Sequence, residues 1–370
     1  MAFLDIDNLR KEFGETVAVD GISFSVEEGE FVTVVGPSGC GKTTTLLNVA
    51  GLQTPTSGSI RLQGADLTDL PPYERDIGVV FQDYALFPHK TVAENIAFGL
   101  KMRGADERER EAKVSEMLSM INLEGYEDEY PHECSGGQQQ RVAVARALAF
   151  DPDLVLMDEP LSNLDKKLRG EMRTELKRIQ RETGITTIYV THNQTEALSM
   201  GDRIAVLNDG TLEQYDDPKT AYERPTSPFV ADFLGTSSRI DGTLRLESDP
   251  VVRFGDSTMT VEARDGIDDG DDVAVFVRTE LASLSTDRPA GENAFRGTIE
   301  SVDYQGQGAV YFVSVPAFGT TVQVNHHANA SMLEPGNEVW VSIDPSDVIY
   351  TTSQSSADGS EQPAISAEGR

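Results

Sequence analysis

Residues Gly36 to Thr43 read GPSGCGKT and fit G-x-x-x-x-G-K-[ST], the pattern of a loop that cradles phosphate. Phe31-Val32-Thr33-Val34-Val35 before it is a short β-branched run, the composition of a buried parallel strand. Thr44 to Ala50 after it can start a helix. Strand, glycine turn and helix N-terminus aim backbone N–H groups and the positive end of the helix dipole at one point. Lys42 adds a full positive charge for the β- and γ-phosphates, and the Thr43 hydroxyl can ligate Mg²⁺. The expected nucleotide-binding set is Gly36, Pro37, Ser38, Gly39, Cys40, Gly41, Lys42, Thr43 and Thr44. A chance glycine-rich turn would leave the agreement of strand, spacing, Lys and Thr without a cause.

The rest of the chain supplies a frame for such a loop. Ile77–Phe81, Leu154–Met157, Thr186–Val190 and Ile204–Leu207 read as buried strands. Lys166–Glu182 and Gln194–Met200 read as helices, and Asn208-Asp209-Gly210 is a hairpin signal. Strands alternating with helices predict an α/β domain with a largely parallel sheet over residues 1–235. A helical subdomain is expected at about 84–150, where Val114, Met117, Leu118 and Ile121 recur at helical spacing and Asp106–Lys113 forms an exposed charged face. Short strands between Gly, Asp and Ser predict a separate all-β domain at 236–350. The Ser-, Gly- and acid-rich stretch 351–370 reads as a disordered tail.

Composition excludes several classes. Formal net charge is −31, from 62 acidic and 31 basic residues, which removes the basic face that a nucleic-acid binder needs. Acid is spread along the whole chain, and no lysine occurs after Lys219. That pattern points to a protein of a high-salt cytoplasm, where screening weakens self-repulsion; an ordinary acidic protein is the alternative. No long uncharged apolar run could span a bilayer, and the N-terminus lacks the apolar core of a signal peptide. The expected site of action is therefore cytoplasmic. Cys40 and Cys134 are too few for a disulfide scaffold; they are either reactive thiols or small apolar fill.

Further motifs surround the loop. Asp158-Glu159 comes directly after the strand Leu154–Met157, where Asp158 is placed to hold Mg²⁺ and Glu159 to polarise a water as general base. Ser135-Gly136-Gly137-Gln138 opens a helix and forms a second anion-accepting turn. One nucleotide gripped by two such turns suggests that one of them belongs to another subunit.

With these residues together, the chain resembles the ATP-binding subunits of ABC importers over nearly its whole length. SGGQQQR is similar to the ABC signature motif, with Cys134 where Leu is usual. Asp158-Glu159 resembles Walker B, Phe81-Gln82 the Q-loop, Ser162–Asp165 the D-loop and Thr191-His192 the H-loop switch, with Asn193 where Asp is common. The resemblance implies an α/β P-loop ATPase domain with a RecA-like core and a helical subdomain, then an OB-like barrel. It implies ATP and Mg²⁺, with Lys42, Glu159 and His192 as catalytic residues. Thr43, Gln82 and Asp158 would hold the metal. Ser135 to Gln138 would act in trans, Asp165 would serve the D-loop, and Phe13 would stack on adenine unless it is core.

The resemblance also implies a head-to-tail dimer or paired ATPase subunit. Membrane permeases and, indirectly, a solute-binding protein would be partners, at the cytoplasmic face of the membrane. Val277–Glu280, Gly297–Ile299 and FVADFLGTSS resemble the appended domain of polyamine, ferric-iron and sugar importers, leaning to the first two. A soluble non-transport ABC ATPase and an ATP-gated regulator without turnover are the rival classes. The first would be expected to carry a second cassette, a long coiled coil or basic surfaces; the second conflicts with an intact Glu159 and His192.

Overall fold

The computed structural model describes residues 2–291, 293–305, 308–327 and 333–353. The chain divides into two compact units, Met1–Lys219 and Thr220–Arg370. The strands of the first are β1 (Leu4–Phe13), β2 (Thr16–Val26), β3 (Phe31–Val35), β4 (Ser57–Leu62), β5 (Ala65–Asp66), β6 (Ile77–Val80), β7 (Leu154–Asp158), β8 (Thr186–Thr191), β9 (Arg203–Asn208) and β10 (Thr211–Asp216). Its helices are α1 (Lys42–Val49), α2 (Val92–Ile96), α3 (Phe98–Met102), α4 (Glu107–Met120), α5 (Gly136–Leu148), α6 (Lys166–Thr183) and α7 (Gln194–Met200).

The central sheet runs β10-β9-β3-β8-β7-β6. All its pairings are parallel except β9–β10, which the hairpin closes antiparallel. Asp209 and Gly210 take φ of 44° and 83°, the left-handed conformations that such a two-residue turn needs. Strands β3, β7 and β8 are buried at every position, as expected of a parallel sheet covered on both faces. A second, four-stranded sheet, β2-β1-β4-β5, is antiparallel.

The residues between β6 and β7 form the helical part. Thr91 and Glu94 make a reciprocal capping box at the start of α2. Asp106 caps α4, whose Val114, Met117 and Leu118 are buried while most of its charged residues stay exposed. Each such side chain contributes about 1.5–3 kcal/mol on burial. Helix α1 ends without a basic residue of its own. Buried Arg75 supplies one, donating to Asn48 O at 2.7 Å and Val49 O at 2.9 Å. The helix that opens on the phosphate loop is thereby fixed at its far end.

Helix α8 (Pro218–Glu223) leads into the second unit, which contains α9 (Pro228–Phe233). Its strands are β11 (Ser237–Arg245), β12 (Val251–Phe254), β13 (Ser257–Thr260), β14 (Asp272–Arg278), β15 (Ser283–Ser285), β16 (Ala294–Tyr304), β17 (Gly308–Val315), β18 (Thr320–His327), β19 (Glu338–Ser342) and β20 (Ile349–Thr352). They form two five-stranded antiparallel sheets, β13-β12-β11-β14-β20 and β15-β19-β16-β17-β18. Both sheets feed one apolar core, with Ile240, Leu244 and Val275 from the first and Phe295, Val313 and Val341 from the second. Asn325 N donates to Thr279 O at 2.7 Å and Gln323 N to Ser238 Oγ at 3.1 Å, joining the sheets along one side.

Beyond α9 and one 3₁₀ turn at Pro345–Asp347, the regular elements among the described residues of this unit are strands, and three of them differ from the sequence reading. β11, β15 and β20 carry no apolar run, and Gly242 interrupts β11 at a point where a side chain would press on Val252 and the Arg253 carbonyl. Residues 220–235 fall in this unit, ahead of the expected junction at 235. Fully buried Arg278 lies 4.3 Å from the centre of the Tyr222 ring, which ties that segment to the strands. Of the expected tail, Thr351 and Thr352 instead complete β20 through pairing with β14. Residues 354–370 lie outside the described residues.

Candidate functional site

The parallel strands deliver their C-terminal ends to one edge, and the polar residues emerge there. β3 ends in the 36–41 turn and α1 begins at Lys42. Gly41 has φ 97°, and a Cβ there would lie 2.5 Å from Ala18 O. Gly36 is closed in by the Leu207 carbonyl and by Cys40 Sγ. The loop can wrap tightly only because both positions lack a side chain. Lys42 is 5% exposed, and its Nζ donates to Gly36 O and Pro37 O, both at 2.8 Å. Its ammonium is therefore held within the turn, where a phosphate would meet it.

β7 ends at Asp158. Thr43 Oγ1 donates to Asp158 Oδ1 at 3.0 Å, so the two hard oxygens expected to hold a metal are adjacent. Burial raises the Asp158 pKa, the Thr43 hydrogen bond opposes this, and the neighbouring Glu159 adds to it. Among the described residues no three His, Cys, Asp or Glu side chains form a metal cluster. Two oxygens suit Mg²⁺, which keeps waters and takes substrate phosphate oxygens as its other ligands. The donor set fits that ion. Gln82 is exposed, and its side chain makes no hydrogen bond to Thr43 or Asp158 among the described residues. Its carbonyl instead accepts from Asn163 Nδ2 at 2.9 Å, linking the turn after β6 to the turn after β7.

Glu159 takes φ 44°, a left-handed conformation rare outside glycine. Its N–H donates to Val190 O at 3.0 Å, which turns the side chain toward the end of β8. There Glu159 Oε2 lies 2.7 Å from His192 Nδ1. That separation is within hydrogen-bond distance, and it fixes the carboxylate beside the imidazole. Asn193 caps α7 by accepting from Glu196 N at 3.2 Å. Asp could do the same, which explains why Asn serves at this position.

The Ser135–Gln138 turn is a capping box on α5: Ser135 Oγ accepts from Gln138 N at 3.4 Å and Gln138 Oε1 accepts from Ser135 N at 2.8 Å. Gln138 Nε2 also donates to Tyr126 OH at 2.8 Å. These side-chain bonds are local, and none reaches the phosphate loop. Asp165 spends its carboxylate as the cap of α6, accepting from Lys167 N and Leu168 N, both at 2.9 Å. Phe13 ends β1 with 48% of its surface exposed and Lys11 Nζ 5.0 Å from its ring centre, which removes the core reading. Cys40 and Cys134 are both buried, and burial pushes both thiols up. They are the small fill of their motifs.

Two groups at the site escape the sequence reading. Arg146 donates to Tyr84 O at 2.8 Å and Ala85 O at 2.6 Å, fixing the left-handed turn after Gln82. Glu196 is 4% exposed and accepts from Tyr189 OH and Thr191 Oγ1 at 2.8 Å each. The only sequence signal is Asn193-x-x-Glu196, which reads as a capping box. The structure turns the Glu196 side chain inward instead.

Comparison with known proteins places this geometry. Residues 19–162 match the family model described as ABC transporter, and 275–350 match the TOBE domain. The chain is 47% identical over 336 residues to the spermidine/putrescine import ATP-binding protein PotA of Thermobifida fusca, covering 89% of this chain and 87% of the relative. It is 44% identical over 354 residues to the protein of the same name from Nitrosospira multiformis, covering 92% and 96%. Among solved structures, cbiO1 of Clostridium perfringens, part of the ABC transporter complex cbiONQ, aligns with TM-score 0.55 and 29% identity over 59% of this chain and 89% of its own. The ATP-binding cassette MJ0796, a dimer in a post-hydrolysis state bound to ADP and Pi, aligns with TM-score 0.52 and 36% identity over 58% and 98%. Similarity at this level reaches into both units, and on that ground the chain belongs to the ABC transporter family, as an import ATPase.

Proposed function

We propose that two copies of this chain clasp ATP between the phosphate loop of one and the Ser135–Gln138 turn of the other, and that the cycle of closure and hydrolysis drives a polyamine permease. The observation that carries this reading is the convergence at one sheet edge of Lys42 in its turn, Thr43 on Asp158, and Glu159 on His192. The signature turn keeps its side-chain bonds to itself, which supports completion of the cradle in trans.

In this reading the 36–44 turn and Lys42 bind the β- and γ-phosphates, and exposed Phe13 stacks on the adenine. Thr43 and Asp158 would hold Mg²⁺, with Gln82 as a further candidate ligand, and the ion would supply neutralisation of phosphate charge. Glu159 accepts a proton from water as its oxygen attacks the γ-phosphorus. The bond to the bridging oxygen breaks, and ADP leaves with the electron pair. His192 holds the Glu159 carboxylate in position and donates toward the γ-phosphate. Asp165 orders the turn that faces the partner. Loss of the γ-phosphate removes the bridge between the copies, and they separate.

No helix among the described residues is long and apolar enough to cross a membrane. In this reading the chain acts at the cytoplasmic face through permease subunits, with a solute-binding protein on the other side. The polyamine assignment rests on the names of its relatives.

Glu159→Gln tests the reading. Turnover should fall by roughly 10²- to 10⁴-fold, while light scattering shows a stable dimer in ATP. Uptake of labelled spermidine by cells carrying only this variant should stop. Native-like turnover would remove Glu159 from the base role, and a lone protomer at saturating ATP would remove the clasp. Undiminished spermidine uptake would remove the solute.

A further inference from the structure

We infer that Arg169 and Glu196 form a positioning pair that carries the placement of the Leu164–Asp165 turn to His192. The inference rests on the role given to His192 above. Glu196 is a buried carboxylate in the first turn of α7, where each oxygen left without a partner is costly. Oε2 accepts from Tyr189 and Thr191. Oε1 faces Arg169 Nε at 3.9 Å, beyond hydrogen-bond range.

Thr191 transmits the constraint forward. Its Oγ1 donates to Glu196 Oε2 and accepts from Asn193 N at 3.0 Å. Asn193 Oδ1 in turn accepts from Glu196 N. Residues 191, 193 and 196 close a ring of hydrogen bonds, and His192 projects from it onto Glu159. Movement of the Glu196 carboxylate therefore moves the backbone on both sides of His192.

Arg169 transmits it backward. Its Nη2 donates to Leu164 O at 2.9 Å, the residue before the α6 cap Asp165. Its Nε is buried and has no hydrogen-bond partner among the described residues. A donor without a partner beside a carboxylate just out of reach is a contact that a shift of about 1 Å makes or breaks. Displacement of the turn before α6, the segment that faces the other copy in the clasp, would close or open it. Arg169 and Glu196 thus act through His192 and touch no reacting atom.

Arg169→Ala tests this, since the side chain is partly exposed and the chain should fold without it. Expected are a fall in kcat of about tenfold, a KM for ATP within about twofold of native, and a melting temperature lowered by no more than a few degrees, with the fold retained by circular dichroism. Arg169→Lys, which keeps a cation beside Glu196, should recover most of the loss. Single-turnover measurement on the His192→Ala and His192→Ala/Arg169→Ala proteins should give equal rates, because a residue acting through His192 has nothing left to act on. Native kcat in Arg169→Ala, a loss confined to KM, or an additive loss in the double variant would overturn the inference. If His192→Ala alone keeps full turnover, the role given to His192 fails, and the inference built on it falls for that separate reason.

Discussion

The parallel sheet of the first unit and the antiparallel sheets of the second bury apolar side chains equally well, yet they place polar groups differently. β3, β7 and β8 are buried from end to end, so these strands have no face on which to carry chemistry. The groups that make the site sit at the ends of these strands or just beyond them, at Gly36, Asp158 and His192. In the second unit, strands such as β16 and β12 alternate buried with exposed residues, and polar groups are scattered along their outer faces. A sheet covered on both sides concentrates function at one edge, whereas a sheet with one wet face dilutes it. Lysine marks the same divide: the second unit has none.

If that contrast is right, a single methyl at the edge should cost more function than a large hole in the β core. Gly36→Ala would press a Cβ into the Leu207 carbonyl and the Cys40 sulfur. ATP affinity measured by titration calorimetry should fall by roughly 10²-fold, with the fold retained by circular dichroism. Native affinity would show that the loop has slack which the packing does not reveal.

Leu244→Ala should produce the complementary result. Leu244 is fully buried in the shared core of the two β sheets. Truncation should cost about 2–5 kcal/mol of stability, seen as a lower melting temperature, while ATP binding by the folded protein stays within about twofold. An equal loss of ATP affinity would break the division of labour between the regions.

The smallest effect concerns charge. With a net charge of −31, melting temperature should rise by several degrees from dilute buffer to molar KCl. A flat response would reduce the acidity to an ordinary surface property and remove the high-salt reading.

The edge was legible in sequence because its demands are local. A turn that needs positive φ where backbone crowds in calls for glycine, as at Gly41, and a helix that begins on a phosphate loop shows Lys42 and Thr43 at fixed spacing. α6 and α7 were legible through periodicity, and their sequence boundaries differ by no more than a residue. β11 was not, since its alternation is broken at Gly242, where tight packing against β12 excludes a side chain. Asp165 illustrates a second limit: the motif places it near a partner, and the structure engages its carboxylate in a helix cap. Gln82 shows a third, for its backbone is tied to Asn163 while its side chain stays clear of the Thr43–Asp158 pair.

Sequence by itself determined the phosphate loop, the acids at the end of β7, the parallel α/β frame and the β-strand character of the chain beyond residue 236, because each depends on residues within one or two elements. Tertiary structure alone decided that Glu159 meets His192, that Glu196 turns inward to Tyr189 and Thr191, and that Arg169 stops short of it. Those contacts join side chains from different elements, and their distances depend on how helices and strands pack, which residue spacing does not encode.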